Sequence, residues 1–98
     1  MHKKHRTVFE SPDWDDFRRR VDPDIRRFDE MLAWAVYNIS TEPRINSTAF
    51  LDEDHRVIVF PIPGIADLWI YFQIAADDES CELLWIISRG GQIPFRIG

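Results

Sequence analysis

Two long apolar segments in the second half of the chain constrain the fold more than any other feature of the sequence. Residues 68–75 (LWIYFQIA) and 81–88 (CELLWIIS) are separated by the short polar stretch 76–80 (ADDES). Apolar runs of this length, rich in β-branched and aromatic residues and joined by a polar turn, predict a β-hairpin. Because both strands are apolar on both faces, we expect them to be central strands whose two faces are covered.

Two shorter segments predict further strands. Residues 6–10 (RTVFE) are typical of a short first strand, in which Val8 is the main apolar member. Residues 56–62 (RVIVFPI) are β-branched and apolar and predict a third strand. Pro61 removes a backbone donor, so this strand is expected to end, or to lie near a sheet edge, at that point.

Two helix starts follow the first strand in close succession. Ser11 and Asp22 can each cap a helix, and each precedes a proline, which suits the first helical position. Apolar residues then recur at spacings of three and four in both segments, and Pro43 predicts that the second helix stops before it. Because almost nothing separates the two helices, an antiparallel helical hairpin is predicted.

These elements predict an α+β fold of order β-α-α-β-β-β, in which a two-helix hairpin packs on one face of a small, mainly antiparallel β-sheet. The 98 residues are expected to form one domain, 1–98, because two domains would each be too short to bury a core. One helical hairpin covers one face of a sheet, so we expect a homodimer or a partner protein to cover the other. The predicted core comprises Trp14, Phe17, Phe28, Leu32, Ile70, Phe72, Leu83 and Trp85.

Charge and composition disfavour several classes of protein. The net charge of −5 is unlike that of a dedicated nucleic-acid-binding domain, which is usually strongly basic. A local stripe at residues 18–20 (RRR) is either a solvated helix end or a phosphate contact. No apolar run is long enough to span a membrane, and the basic start of the chain lacks the apolar segment of a secretory signal. We therefore expect a cytoplasmic protein with no membrane partner.

Neither a metal nor a cofactor is predicted from the sequence. His2 and His5 are three residues apart near the start of the sequence, and His55 is remote from them. The acidic stretch 52–54 could hold a hard cation but is more typical of a solvated loop. Cys81 is the single cysteine, so no disulfide framework can form, and no basic residue near it in sequence would lower its pKa.

The segment after the long hairpin carries two arginines beside glycines. Arg89 precedes a Gly-Gly pair, and Arg96 lies two residues from the end of the sequence. Guanidinium groups bind phosphate or carboxylate in a bidentate manner, whereas the alternative is a surface arginine that keeps a sheet edge soluble. Arg56, Tyr71 and His55 are expected neighbours across the sheet.

The order of elements and two segments resemble the RelE/ParE toxin superfamily. Residues 6–17 (RTVFESPDWDDF) resemble the strand that runs into the first toxin helix. Residues 68–89 (LWIYFQIAADDESCELLWIISR) resemble the terminal hairpin, which leads to a basic residue. The resemblance implies the toxin of a bacterial type II toxin–antitoxin system, neutralised by a cognate antitoxin. Such toxins either cleave messenger RNA at the ribosome without a metal or poison DNA gyrase.

The match to the RNA-cleaving members is incomplete. Leu68-Trp69 stands where those nucleases resemble one another in a basic residue, and Phe95 lies near the position of an acid–base tyrosine. RNA cleavage without a metal needs proton transfer and stabilisation of developing negative charge. The sequence favours a gyrase-directed toxin or, alternatively, a non-catalytic protein-interaction domain on the same scaffold, over a ribonuclease. If the chain is an enzyme, the candidate catalytic residues are Arg89, Arg96, Tyr71 and His55.

Overall fold

The long apolar segments form the two adjacent strands of a hairpin, as predicted, and further strands flank them on both sides. The computed structural model describes residues 4–21, 28–62 and 66–90. In chain order its elements are β1 (Thr7–Glu10), α1 (Trp14–Val21), α2 (Phe28–Thr41), β2 (Thr48–Asp52), β3 (His55–Ile62), β4 (Ala66–Ile74) and β5 (Ser80–Gly90). These elements confirm the predicted α+β fold of two helices and a mainly antiparallel sheet.

The strands form one mixed sheet in the order β1-β5-β4-β3-β2. β1 pairs with β5 in parallel, and the other neighbouring pairs are antiparallel. The sequence did not predict β2. Its sequence, TAFLD, places three apolar residues in a row and so lacks the alternation of apolar and polar residues that marks a half-buried strand, and four of its five residues are exposed. It is an edge strand, paired with β3.

The core lies between the helices and one face of the sheet. Along β4, every second residue is buried, and the residues between them are only partly buried. Both helices contribute to the same cluster, and Phe17 and Leu32 are partly buried against it. Of the predicted core residues, the buried ones are Trp14, Phe28, Ile70, Phe72 and Leu83.

A β-bulge at Leu84 decides which side chains of β5 join the buried core. Phe72 pairs with Leu83, and Tyr71 pairs with Trp85, so Leu84 is an extra residue on β5. One extra residue reverses the alternation of the side chains that follow it. Trp85 therefore lies outside the core, half-buried in the same cross-strand row as Tyr71. The prediction that Trp85 is a core residue is wrong for this reason.

The start of α1 is joined to this bulge. The backbone N–H of Ser11 donates to the Leu83 carbonyl (2.8 Å), and its hydroxyl donates to the Leu84 carbonyl (2.9 Å). The Ser11 side chain thus holds the helix start against β5. α2 ends at Thr41, before Pro43, as predicted. The predicted start of α2 at Asp22 lies outside the described residues.

A cluster of ion pairs around Asp78 ties several loops together. Asp78 occupies the left-handed region (φ 62°) in the β4–β5 turn. Its carboxylate accepts hydrogen bonds from Arg6 (2.8 and 3.0 Å) and from Arg44 (3.2 Å), and Lys4 lies 3.5 Å away. The Arg6 guanidinium, followed by the Arg44 guanidinium and the Lys4 ammonium group, holds the pKa of Asp78 well below its ordinary value. The cluster joins the chain before β1, the loop after α2 and the β4–β5 turn.

In the described part of the chain, neither helix is both long enough and apolar enough to cross a membrane.

Candidate functional site

The face of the sheet opposite the core is half-buried and rich in aromatic residues; we call it the open face. Because side chains alternate along a strand, the residues between the buried ones of β4 share this face with their cross-strand partners. One row contains Val57, Tyr71 and Trp85, and the next contains Val59, Trp69 and Ile87. The two apolar strands predicted in the sequence therefore use one set of side chains for the core and the other for this surface.

Three aromatic side chains form the centre of the open face, here called the aromatic cluster: Phe50, Tyr71 and Trp85. Tyr71 and Trp85 are stacked, with ring centroids 5.1 Å apart and an interplanar angle of 29°. Phe50 meets the Tyr71 ring edge-on at 5.1 Å and is 39% exposed. Geometries of this kind stabilise a protein by about 0.5–1.5 kcal/mol per pair beyond the burial of area. Phe50 does not stand out in the sequence, because β2 has no recognisable strand pattern.

Arg89 lies on the open face near the end of the long hairpin. Its guanidinium carbon is 4.6 Å from the centroid of the Trp69 ring, and its backbone pairs with Asp67 on β4. Cation–π contact with an indole holds a guanidinium in a defined place. Arg89 is half-buried there, so its side chain has a structural role through its contact with Trp69.

His55 lies at the other end of the same face, at the start of β3. Its Nδ1 atom is 2.9 Å from Oδ1 of Asp52, and its ring lies edge-on to Phe50 at 5.9 Å. Hydrogen bonds from the His55 ring and from the backbone N–H groups of Asp54 and His55 hold the pKa of Asp52 below its ordinary value. These contacts cap the β2–β3 turn and orient the imidazole of His55. A histidine oriented by a carboxylate in this way could also act as a general base.

The structure gathers some of the predicted site residues and separates others. Tyr71 and His55 both contact Phe50. Arg89 pairs with Asp67, whereas His55 pairs with Gln73, and six residues of β4 span about 20 Å. Arg89 and His55 therefore share a face and not a site. Arg96 lies outside the described residues.

Arg56 does not join the open face as the sequence suggested. It is buried (7% exposed) and lies in the row of Phe72, on the core side of the sheet. Its guanidinium donates to the Ser47 hydroxyl (2.7 Å) and to the backbone carbonyls of Glu53 and Ser47 (3.0 and 3.1 Å). Arg56 satisfies loop carbonyls and is a structural residue, which corrects the expectation that it neighbours Arg89.

The basic stripe of α1 is also largely engaged within the chain. Arg18 is 2.8 Å from Asp29, and Arg19 is 2.6 Å from Asp15. Arg20 lies 5.1 Å from the Phe17 ring. These contacts favour the interpretation of the stripe as a helix end over that of a phosphate-binding patch.

A small cavity opens at the β1 side of the open face. It has a volume of about 150 Å³ and is lined by Phe9, Gln73, Ala75 and Glu82. These residues do not stand out in the sequence. Their alternate positions along each strand indicate that they share a face, but the cavity also requires β1 to pair with β5, which no local sequence pattern specifies.

Metal and thiol chemistry find no support in the described residues. In ranges 4–21, 28–62 and 66–90, no three His, Cys, Asp or Glu side chains are grouped so as to hold a metal ion. Cys81 is fully buried, and burial raises its pKa to about 11, which keeps the thiol protonated at neutral pH.

Comparison with known proteins identifies the fold. Neither a protein-family model nor a curated protein matches the sequence. Among solved structures, the chain is similar to one in the toxin-antitoxin complex RelBE2 from Mycobacterium tuberculosis, with a TM-score of 0.66 and 15% sequence identity. The alignment covers 88% of this chain and 93% of that chain. The protein therefore has the RelE-like α+β fold, as the resemblance implied.

Proposed function

We propose that this protein is the toxin of a bacterial type II toxin–antitoxin pair, acting in the cytoplasm and neutralised by a cognate antitoxin. The observation that carries the proposal is the likeness to a chain of the RelBE2 toxin-antitoxin complex, which extends over 88% of this chain and 93% of the other. A match of this extent includes the whole arrangement of helices and sheet, and not a shared hairpin alone.

The proposed mode of action is binding to a protein target, and DNA gyrase is the target that the ParE resemblance implies. The centre of the open face is aromatic, and partly exposed aromatic side chains are typical of the anchors in protein interfaces. A surface that binds RNA phosphates needs several available cations. Here Arg56 is turned to the core side, Arg89 lies against Trp69, and the whole chain carries a net charge of −5.

A second candidate is metal-free cleavage of messenger RNA during translation, and one observation favours it. The carboxylate of Asp52 orients the His55 imidazole, and Tyr71 lies beside the same Phe50 ring. In this candidate, His55 would take the proton of an attacking 2′-hydroxyl. A cation must then stabilise the charge on the phosphate, and the row of Arg89 is about 13 Å along β4 from that of Tyr71. This separation places the second candidate below the first.

The test begins with growth. Induction of the chain in a bacterial host should arrest growth, and co-expression of the protein encoded by the neighbouring gene should restore it. Normal growth at a verified level of folded protein would contradict the proposal and would favour the alternative, a non-catalytic interaction domain on this scaffold.

The target is then distinguished with purified components. We expect the chain to inhibit DNA supercoiling by gyrase and to leave messenger RNA intact in a translation extract. Neither His55→Asn nor its matched control, His5→Asn, should alter toxicity. Cleaved messenger RNA, abolished by His55→Asn and retained in His5→Asn, would establish the second candidate in place of the first.

A further inference from the structure

One cross-strand row of the open face ends in the cavity at the β1 side. Phe9 on β1 pairs with Glu82 on β5, and Glu82 pairs with Gln73 on β4. With Ala75, these residues line the volume of about 150 Å³. Phe9 is 48% exposed at the rim, whereas Glu82 and Gln73 are half-buried.

The chemistry of this lining is that of a site for a cation. Within the described part of the chain, neither an ion pair nor a side-chain hydrogen bond engages Glu82, and the Gln73 amide is likewise not hydrogen-bonded. A half-buried carboxylate is stabilised by a charge-assisted hydrogen bond, and an aromatic face attracts a cation. The Gln73 amide oxygen adds a neutral acceptor.

The size of the cavity and its position on the face indicate what kind of cation it takes. A volume of about 150 Å³ accommodates a group about the size of benzene, similar to the end of a long basic side chain. A planar guanidinium can stack flat on Phe9 while it donates to both Glu82 and Gln73, whereas an ammonium group can donate to both but has no planar face to stack. The cavity lies next to the row of the aromatic cluster, because Gln73 and Tyr71 are alternate residues of β4.

We infer that this cavity receives an arginine side chain from a protein partner whose segment lies along the open face. The net charge of −5 favours the approach of such a cationic segment. The inference rests on the proposed function for the identification of the partner as a protein. It adds the chemistry of the partner: an arginine beside apolar residues that cover the aromatic cluster.

The test is an NMR titration of the full chain with N-acetyl-arginine amide. The neutral isostere N-acetyl-citrulline amide is the control ligand, and Asp16→Asn, on the exposed surface of α1, is the control for net charge. We expect millimolar binding with shifts confined to the four lining residues. Affinity should fall about tenfold in Glu82→Gln, the scale of one lost charge-assisted contact, and should be unchanged in Asp16→Asn.

Three results would overturn the inference. They are the absence of shifts at the cavity, equal binding of the citrulline ligand, and an equal loss of affinity in Asp16→Asn. If Glu82→Gln does not fold, Phe9→Leu serves instead, because removing the aromatic face should weaken arginine binding several-fold. The titration does not depend on growth arrest, so its failure would leave the proposed function standing. If growth arrest fails instead, arginine binding at the cavity is still measured, and only the identification of the partner as a protein is lost.

Discussion

The indole of Trp85 stacks on the ring of Tyr71, 5.1 Å away, although the continuous alternation of β5 would direct it into the core. The cause is the extra residue Leu84, which shifts the alternation by one position between Leu83 and Trp85. The backbone carbonyl of Leu84 also accepts a hydrogen bond from the Ser11 hydroxyl. One irregularity thus places an aromatic residue on the open face and holds the start of α1.

The core assignment predicts a large difference between two leucines. Leu83 is 3% exposed and Leu51 is 71% exposed. Leu83→Ala should lower the free energy of unfolding by about 2–5 kcal/mol, because it leaves a cavity. Leu51→Ala should change it by less than about 0.5 kcal/mol. Denaturant unfolding of both variants checks this, and equal midpoints would contradict the assignment of the core.

The contact between Ser11 and the bulge predicts a smaller effect. Ser11→Ala removes the hydrogen bond to the Leu84 carbonyl and should cost about 0.5–1.5 kcal/mol in thermal or denaturant unfolding. Ser88→Ala is the control, because Ser88 is exposed and forms no side-chain hydrogen bond among the described residues. If the two variants were equally stable, the hydroxyl would contribute nothing to holding α1.

The cluster at Asp78 predicts a dependence of stability on pH. The folded-state pKa of Asp78 lies below its ordinary value, whereas in the unfolded chain it returns to about 3.9. Its contribution is therefore complete above the unfolded pKa and is lost as the pH falls towards the folded pKa. Asp78→Asn should cost about 1 kcal/mol at neutral pH, since the pairs are partly exposed.

Asparagine suits this test because it also tolerates a positive φ, so the substitution changes the charge and not the turn. The difference in unfolding free energy between Asp78→Asn and the parent should shrink between pH 6 and pH 3. Asp16→Asn should not reproduce the effect at either pH. A difference that stayed constant across this range would show that the ion pairs do not account for the stability.

Arg89 is expected to matter for function more than for folding. Arg89→Ala should abolish growth arrest with a loss of stability of about 1 kcal/mol, which is the scale of a partly exposed cation–π contact. The combined Arg18→Ala, Arg19→Ala and Arg20→Ala change should leave growth arrest intact, because these side chains belong to α1 and not to the open face, where the target is proposed to bind. The opposite pattern in a growth assay with melting curves would move the functional surface to α1.

Local patterns in the sequence specified most of the elements and their order. The two apolar runs around the polar turn predicted β4 and β5, and Pro43 predicted the end of α2. Ile70 and Phe72, which were both predicted to be core residues, are buried together. These features succeed because the driving force, burial of apolar side chains at a fixed period, is present in neighbouring residues.

The candidate site depended on pairings between residues distant in sequence, which no local pattern contains. Parallel pairing of β1 with β5 brings Phe9 beside Glu82, and the edge strand β2 brings Phe50 onto Tyr71.

The sequence by itself determined an acidic chain with two helices and a long apolar hairpin that carries an arginine near its end. The tertiary structure alone decided which side chains of that hairpin join the buried core and which form the open face. The physical reason is that a strand presents side chains to two faces with a period of two, so a single extra residue at Leu84 exchanges the faces. That choice depends on the register between strands, and register is set by packing of the whole sheet.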